Sequence, residues 1–195
     1  IEEMKQLYEM GVRGFWFTDA QFIPTKNHIQ DAKLLLQAIK DQGWTDLKWA
    51  AYIRADNIDS ELAQLMVETG MSYFEIGITS GSQELVRKMQ LAYNLKTVLE
   101  NCRMLVEAGF RNHVSVNYSF NVFDETPNTI KQTIAYHREL ENIFGKGLVD
   151  PAIFFIGLQP HTLLEKYAIE NNILKPSYNP MSMMPWTARK LLWNP

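Results

Sequence analysis

At 195 residues, with 46% hydrophobic and 21% charged residues and a net charge of −3, the chain has the make-up of one globular domain or a large piece of one. That charge, with no Lys/Arg stripe, gives no electrostatic footprint for nucleic acid, and no apolar run approaches the roughly 20 residues of a membrane-spanning helix. The single cysteine, Cys102, excludes an internal disulfide framework and any multi-cysteine metal site within these residues.

The opening "IEEMKQLYEMG" has a helical pattern but no initiator Met, no capping residue and no signal peptide. The expectation is a piece of a longer, cytoplasmic protein. Gly11 then stops the helix, and the strand "RGFWF" follows. It runs into "TDAQFIP", where Asp19 and Gln21 stand at the strand's end. An Asp there starts a turn, or it faces a ligand as strand ends do in parallel α/β proteins.

The same unit recurs along the chain. Ala32, Leu35, Leu36 and Ile39 share a helical face before Gly43 and the strand "LKWAAYI". That strand ends in "RADNID", where Asp59 reads as a helix cap and Arg54 with Asp56 as an exposed pair or a rim site. Leu62, Leu65 and Met66 precede Gly70 and "SYFEIGI", which ends at Thr79 and Ser80. Ser82, with Gln83 and Glu84 behind it, reads first as a capped helix start and second as an anion site. Val98, Cys102, Leu105 and Val106 share a face, so Cys102 reads as a small core residue.

Gly109 precedes "HVSVNYSF", which ends at Asn121 and Glu125; Asn128 or Thr129 would cap the next helix. Its stripe is read as Ile130, Ile134 and Leu140, with His137 beside it as a structural residue. Gly145 and Gly147 lead into "AIFFIGL", with Gln159 and His161 at its end. His28 and His113 lack the spacing of metal ligands. After Leu174, Pro176, Pro180 and Pro185 argue against a further unit, so residues 1–174 form the core and 175–195 an irregular tail.

Mostly apolar strands alternating with helices predict an α/β fold with parallel strands. No Gly-rich fingerprint follows a strand, which disfavours a dinucleotide-binding sheet. Polar residues instead gather at every strand's C-terminal end, as on the rim of a TIM-like (β/α) barrel. A partial barrel of about five strands is expected.

Five segments together resemble radical S-adenosylmethionine enzymes, above all the class whose longer members carry a cobalamin-binding domain. "FWFTDAQFIP" resembles the family's second-strand segment and "YIRAD" the Arg-x-Asp end of its third. "MVETGMSYFEIGITSGSQELVRKM" resembles the fourth unit, and "LVEAGFRNHVSVNYSFNVFDET" the fifth. "FIGLQPHTLLEKYAIENNIL" resembles the sixth, so the likeness runs in order from Gly11 to Leu174. Departures fall on the rim. The family has Glu at Thr79, Pro at Phe123, and Gly at Asn121, Asp124 and His161, while Asp19, Arg54, Ser80 and Glu125 follow its pattern.

The resemblance implies a parent enzyme that reductively cleaves S-adenosylmethionine to a 5′-deoxyadenosyl radical, for methylation or another transformation of a small-molecule substrate it does not name. Asp19 would meet the cofactor's amino group and Arg54 its carboxylate. Thr79 and Ser80 would lie near the ribose or methionine part, and Asn121 to Glu125 near the adenine. The family's [4Fe-4S] cluster is held by a Cys-x3-Cys-x2-Cys loop that this chain does not contain, so its ligands would lie outside the chain. The chain alone would then be inactive, and cobalamin use stays open. With a preceding strand absent, the edge at "GFWFTD" would invite self-association. The competing reading is a non-catalytic binding or scaffold domain on a degenerate barrel. A non-radical barrel enzyme ranks last, because no nucleophile–base pair is visible.

Overall fold

A computed structural model describes residues 1–181 of the chain. Within them every strand is preceded and followed by a helix: α1 (Glu2–Glu9), β1 (Gly14–Phe17), α2 (Ile29–Asp41), β2 (Lys48–Tyr52), α3 (Ser60–Glu68) and β3 (Met71–Thr79). Then come α4 (Gln83–Lys88), α5 (Leu95–Glu107), β4 (His113–Phe120), α6 (Pro127–Phe144), β5 (Val149–Phe155) and α7 (Leu163–Glu170). The five strands make one sheet in the order β1-β2-β3-β4-β5, every neighbouring pair parallel.

Strand side chains alternate between faces, and here the two faces differ. Phe15 and Phe17, Trp49 and Ala51, Phe74 and Ile76, and Val114 and Val116 pack in one cluster with Leu36, Leu62, Cys102 and Leu140 of the helices. Each large side chain buried there contributes about 1.5–3 kcal/mol. The opposite face carries Trp16, Tyr52, Glu75 and Asn117, which stay partly or largely exposed. Helices on one face only distinguish a barrel wall from a doubly wound sheet, which is covered on both.

Local chemistry fixes the joints. The Trp49 indole N–H donates to Thr69 Oγ1 at 3.0 Å, so a buried donor is satisfied. Gly70, at φ +88°, would place a Cβ 2.1 Å from the Leu47 carbonyl oxygen, so no other residue fits. Asp59 caps α3, accepting from the Leu62 N–H at 2.8 Å.

Three expectations are corrected. The buried stripe of α6 is Thr129, Thr133, Tyr136, Leu140 and Phe144, whereas Ile134 is exposed, because the turn after β3 presses on the helix at Thr133. Thr126, not Asn128 or Thr129, caps α6, with Pro127 following and Thr129 completing a capping box. Ser82 makes no side-chain cap bond at α4. Residues 175–181 contain no helix or strand, and the remainder of the tail expected to be irregular lies outside the described residues.

Candidate functional site

The C-terminal ends of the strands form a cleft of about 350 Å³, lined by Gln21, Arg54, Asp56, Gly77, Thr79 and Tyr93, among others. Arg54 follows β2 and is held as a fork: Nε and Nη2 donate to the two Asp56 carboxylate oxygens at 2.9 and 2.8 Å. Its Nη2 also donates to the Ala92 carbonyl at 2.7 Å, and Nη1 reaches the Pro24 carbonyl at 3.5 Å. Five donors therefore leave part of Nη1 for a ligand. The Asp56 pairing raises the Arg54 pKa. Tyr93 donates its hydroxyl to the Ile78 carbonyl, and burial pushes its pKa up to about 12. Gln21 Oε1 is buried with no hydrogen-bond partner, which costs about 1–3 kcal/mol until a donor meets it.

The residues singled out from sequence do not all converge. Arg54 and Thr79 line the cleft, joined by Gln21. Asp19 is exposed in the loop after β1. Ser80 is buried and turned toward α6: its Oγ accepts from the Ser82 N–H at 3.1 Å and lies 3.4 Å from Thr133 Oγ1. Asn121 and Glu125 bond within their own loop, the Asn121 N–H donating to Glu125 Oε2 at 2.8 Å. Burial raises the Glu125 pKa against that opposing hydrogen bond.

Thr79, Asn121, Asp124 and His161 all have positive φ, from 56° to 66°. Three of these are the positions where the resemblance expects glycine. The backbone there keeps the left-handed turn, carried by Asn, Asp and His, which tolerate it better than most residues. Beyond Thr79 a second, apolar hollow of about 500 Å³ is walled by Leu91, Phe123, Ile156, Leu164 and Tyr167. Phe123 meets Tyr167 edge-on at 5.3 Å there, so the side chain standing at the family's Pro position helps build this hollow.

Sequence reasoning passed over the helix-free face of the sheet. Tyr73 donates to Glu75 Oε1 at 3.1 Å, and Asn117 Nδ2 donates to Glu75 Oε2 at 3.2 Å. Asn117 Oδ1 is buried without a partner. Trp16 stands beside this network, 5.5 Å from the Tyr52 ring and 5.7 Å from that of Tyr73. The signal was a period of two: Tyr73, Glu75 and Gly77 alternate with Phe74, Ile76 and Ile78, as Ser115, Asn117 and Ser119 do with Val114, Val116 and Tyr118.

Among the described residues, no three His, Cys, Asp or Glu side chains group to hold a metal ion. Cys102 is buried in the core, and burial pushes its thiol up to about 12, so it is not poised as a thiolate ligand. No described helix is long and apolar enough to cross a membrane.

The Radical SAM superfamily model matches residues 1–137. No curated protein matches the sequence. Among solved structures, the radical S-adenosylmethionine methyltransferase TsrM from Kitasatospora setae, with tryptophan substrate and a SAM analogue bound, superposes with TM-score 0.71 at 22% identity. That likeness covers 87% of this chain and 32% of TsrM, which has also been solved with cobalamin and a [4Fe-4S] cluster bound. Coproporphyrinogen III oxidase (HemN) from Escherichia coli, a radical SAM enzyme, gives 0.55 at 13% identity over 92% of this chain and 38% of its own. Methylornithine synthase (PylB) gives 0.53 at 16% identity, covering 78% and 42%. At these identities the likeness is one of fold, and the chain spans about a third of the length of TsrM.

Proposed function

The chain belongs to the Radical SAM superfamily, and from that premise we propose that it is core to a cytoplasmic enzyme binding S-adenosylmethionine on the barrel rim, for methylation or another radical transformation of a small molecule. Arg54 and Gln21 would hold S-adenosylmethionine beside a [4Fe-4S] cluster, where one electron from the reduced cluster would break its C–S bond, leaving methionine and supplying the radical chemistry of hydrogen abstraction from substrate. Cobalamin enters the proposal only by analogy with TsrM, as a carrier for a transferred methyl group.

The observation that carries the reading is the pairing of opposite deficits in one cleft. Gln21 offers a buried acceptor without a donor, and Arg54 retains one N–H on Nη1 beyond its contact with the Pro24 carbonyl. An amino acid moiety has an ammonium for the first and a carboxylate for the second. Asp19, exposed in the same loop two residues before Gln21, would add charge to the ammonium end. Thr79 and Tyr93 would line the ribose, and the hydrogen-bonded Asn121–Glu125 loop would bound the adenine. Ser80 would act by holding the turn against α6, because its hydroxyl is already engaged. The cluster's ligands are not among the described residues, so no step is assigned to this chain there.

Calorimetric titration of S-adenosylmethionine into the full-length parent protein tests the reading. Gln21→Ala, Asp19→Asn and Arg54→Lys are each expected to weaken binding about tenfold or more, the usual weight of a charge-assisted hydrogen bond. Wild-type affinity in all three would refute the assignment. One observation favours the scaffold alternative: Asp56 already takes both arms of the Arg54 fork. Absence of any S-adenosylmethionine binding by the wild type would decide for it.

A further inference from the structure

The polar network on the helix-free face has a fixed polarity. A carboxylate accepts hydrogen bonds and donates none. Glu75 therefore holds Asn117 with its amide nitrogen inward and leaves Asn117 Oδ1 as the orphaned acceptor. Parallel pairing sets Tyr52 opposite Glu75 and Gly77 opposite Asn117. With strands roughly 4.8 Å apart, Glu75 lies one strand over from Tyr52 and Asn117 one strand further, while the Trp16 ring reaches across from β1 to within 5.7 Å of the Tyr73 ring on the strand of Glu75. Gly77 has nothing within 4 Å of where a Cβ would sit, so the floor beside these acceptors is open.

The charge on this face has one sign where it matters. Burial first, then the negative charges of Glu75 and Asp150, push the Tyr73 hydroxyl's pKa up against an opposing hydrogen bond from Ser115. Lys48 sits two residues before Ala50's row, at the N-terminal margin, and His113 is paired with Asp150 at 3.0 Å. Aromatic faces attract cations as well.

We propose that this face selects a substrate carrying a protonated amine two or three bonds from a planar aromatic ring, the ring against Trp16 and Tyr52 and the ammonium between Glu75 and Asn117. This deepens the proposed function by naming a substrate class, and it rests on that reading only for the chemistry that follows binding. Trp16 and Tyr52 set ring preference, and Glu75 with Asn117 sets charge preference.

The test is binding without cofactor, so it stands or falls apart from S-adenosylmethionine. 2-Phenylethylamine is titrated into the 195-residue chain and followed by the Trp16 indole N–H resonance, assigned with Trp16→Phe. Saturable millimolar binding is expected, with 3-phenylpropionate and butylamine each at least tenfold weaker. Glu75→Gln should weaken the amine about tenfold and leave 3-phenylpropionate unaffected. Should Glu75→Gln fail to fold, Asn117→Ala takes its place with the same expected loss. Equal binding of the amine and the carboxylate, wild-type affinity in the folded variant, or no binding of the amine would each overturn the proposal.

Discussion

Glu125 shows how one half-buried side chain couples the rim to pH. Burial raises its folded-state pKa, and the Asn121 N–H opposes that rise without cancelling it. A folded pKa above the unfolded one means the native state holds the proton more tightly. The associated stability is present below the unfolded value of about 4.5 and is lost as pH rises through the folded pKa. Urea denaturation across pH 4 to 7 should therefore show the wild type losing stability relative to Glu125→Gln as pH rises; a constant difference would contradict it. Arg54 and Thr79 were legible as rim residues because strand ends in sequence become a rim in space. The burial of Ser80 was not, since its partner Thr133 lies 53 residues away. Gln21 was noticed only for its position; that its oxygen is orphaned depends on packing no sequence pattern encodes.

Between elements, one tight joint is the turn from β3 to α4 against α6. A Cβ on Gly81 would fall 2.5 Å from Thr133 Cα and 2.7 Å from Tyr136 Cβ, and the first of these is backbone. The Gly81 N–H also donates to Thr133 Oγ1 at 3.0 Å. Gly81→Ala should cost about 1–3 kcal/mol, as overpacking does, read as a lower urea midpoint with unchanged slope; an unshifted midpoint would show that α6 moves aside. This joint explains what sequence periodicity missed. Apolar counting chose Ile134 for the core, whereas close approach demands a small residue at Thr133 and rotates the helix so that Ile134 faces out. The five strands and the helices between them were legible because the helix before each strand ends at a glycine and each strand is mostly apolar on one face.

At the scale of the molecule, β1 and β5 are the outer strands of the sheet among the described residues, and β5 carries exposed apolar side chains. Trp16 is 42% exposed, and Ile153, Phe154 and Phe155 are each more than half exposed. An uncovered strand edge beside such a surface favours pairing with another copy. Light scattering after size exclusion is expected to show dimers or larger species that dissociate on dilution, and a monodisperse monomer at all concentrations would count against it. The strand order has a different consequence. Because each strand pairs with its predecessor in the chain, every strand after β1 finds a pairing partner already made as the polypeptide leaves the ribosome. At roughly 5–20 residues per second, a nascent chain would add a complete helix–strand layer every few seconds to an edge already formed, so order of synthesis and order of assembly coincide.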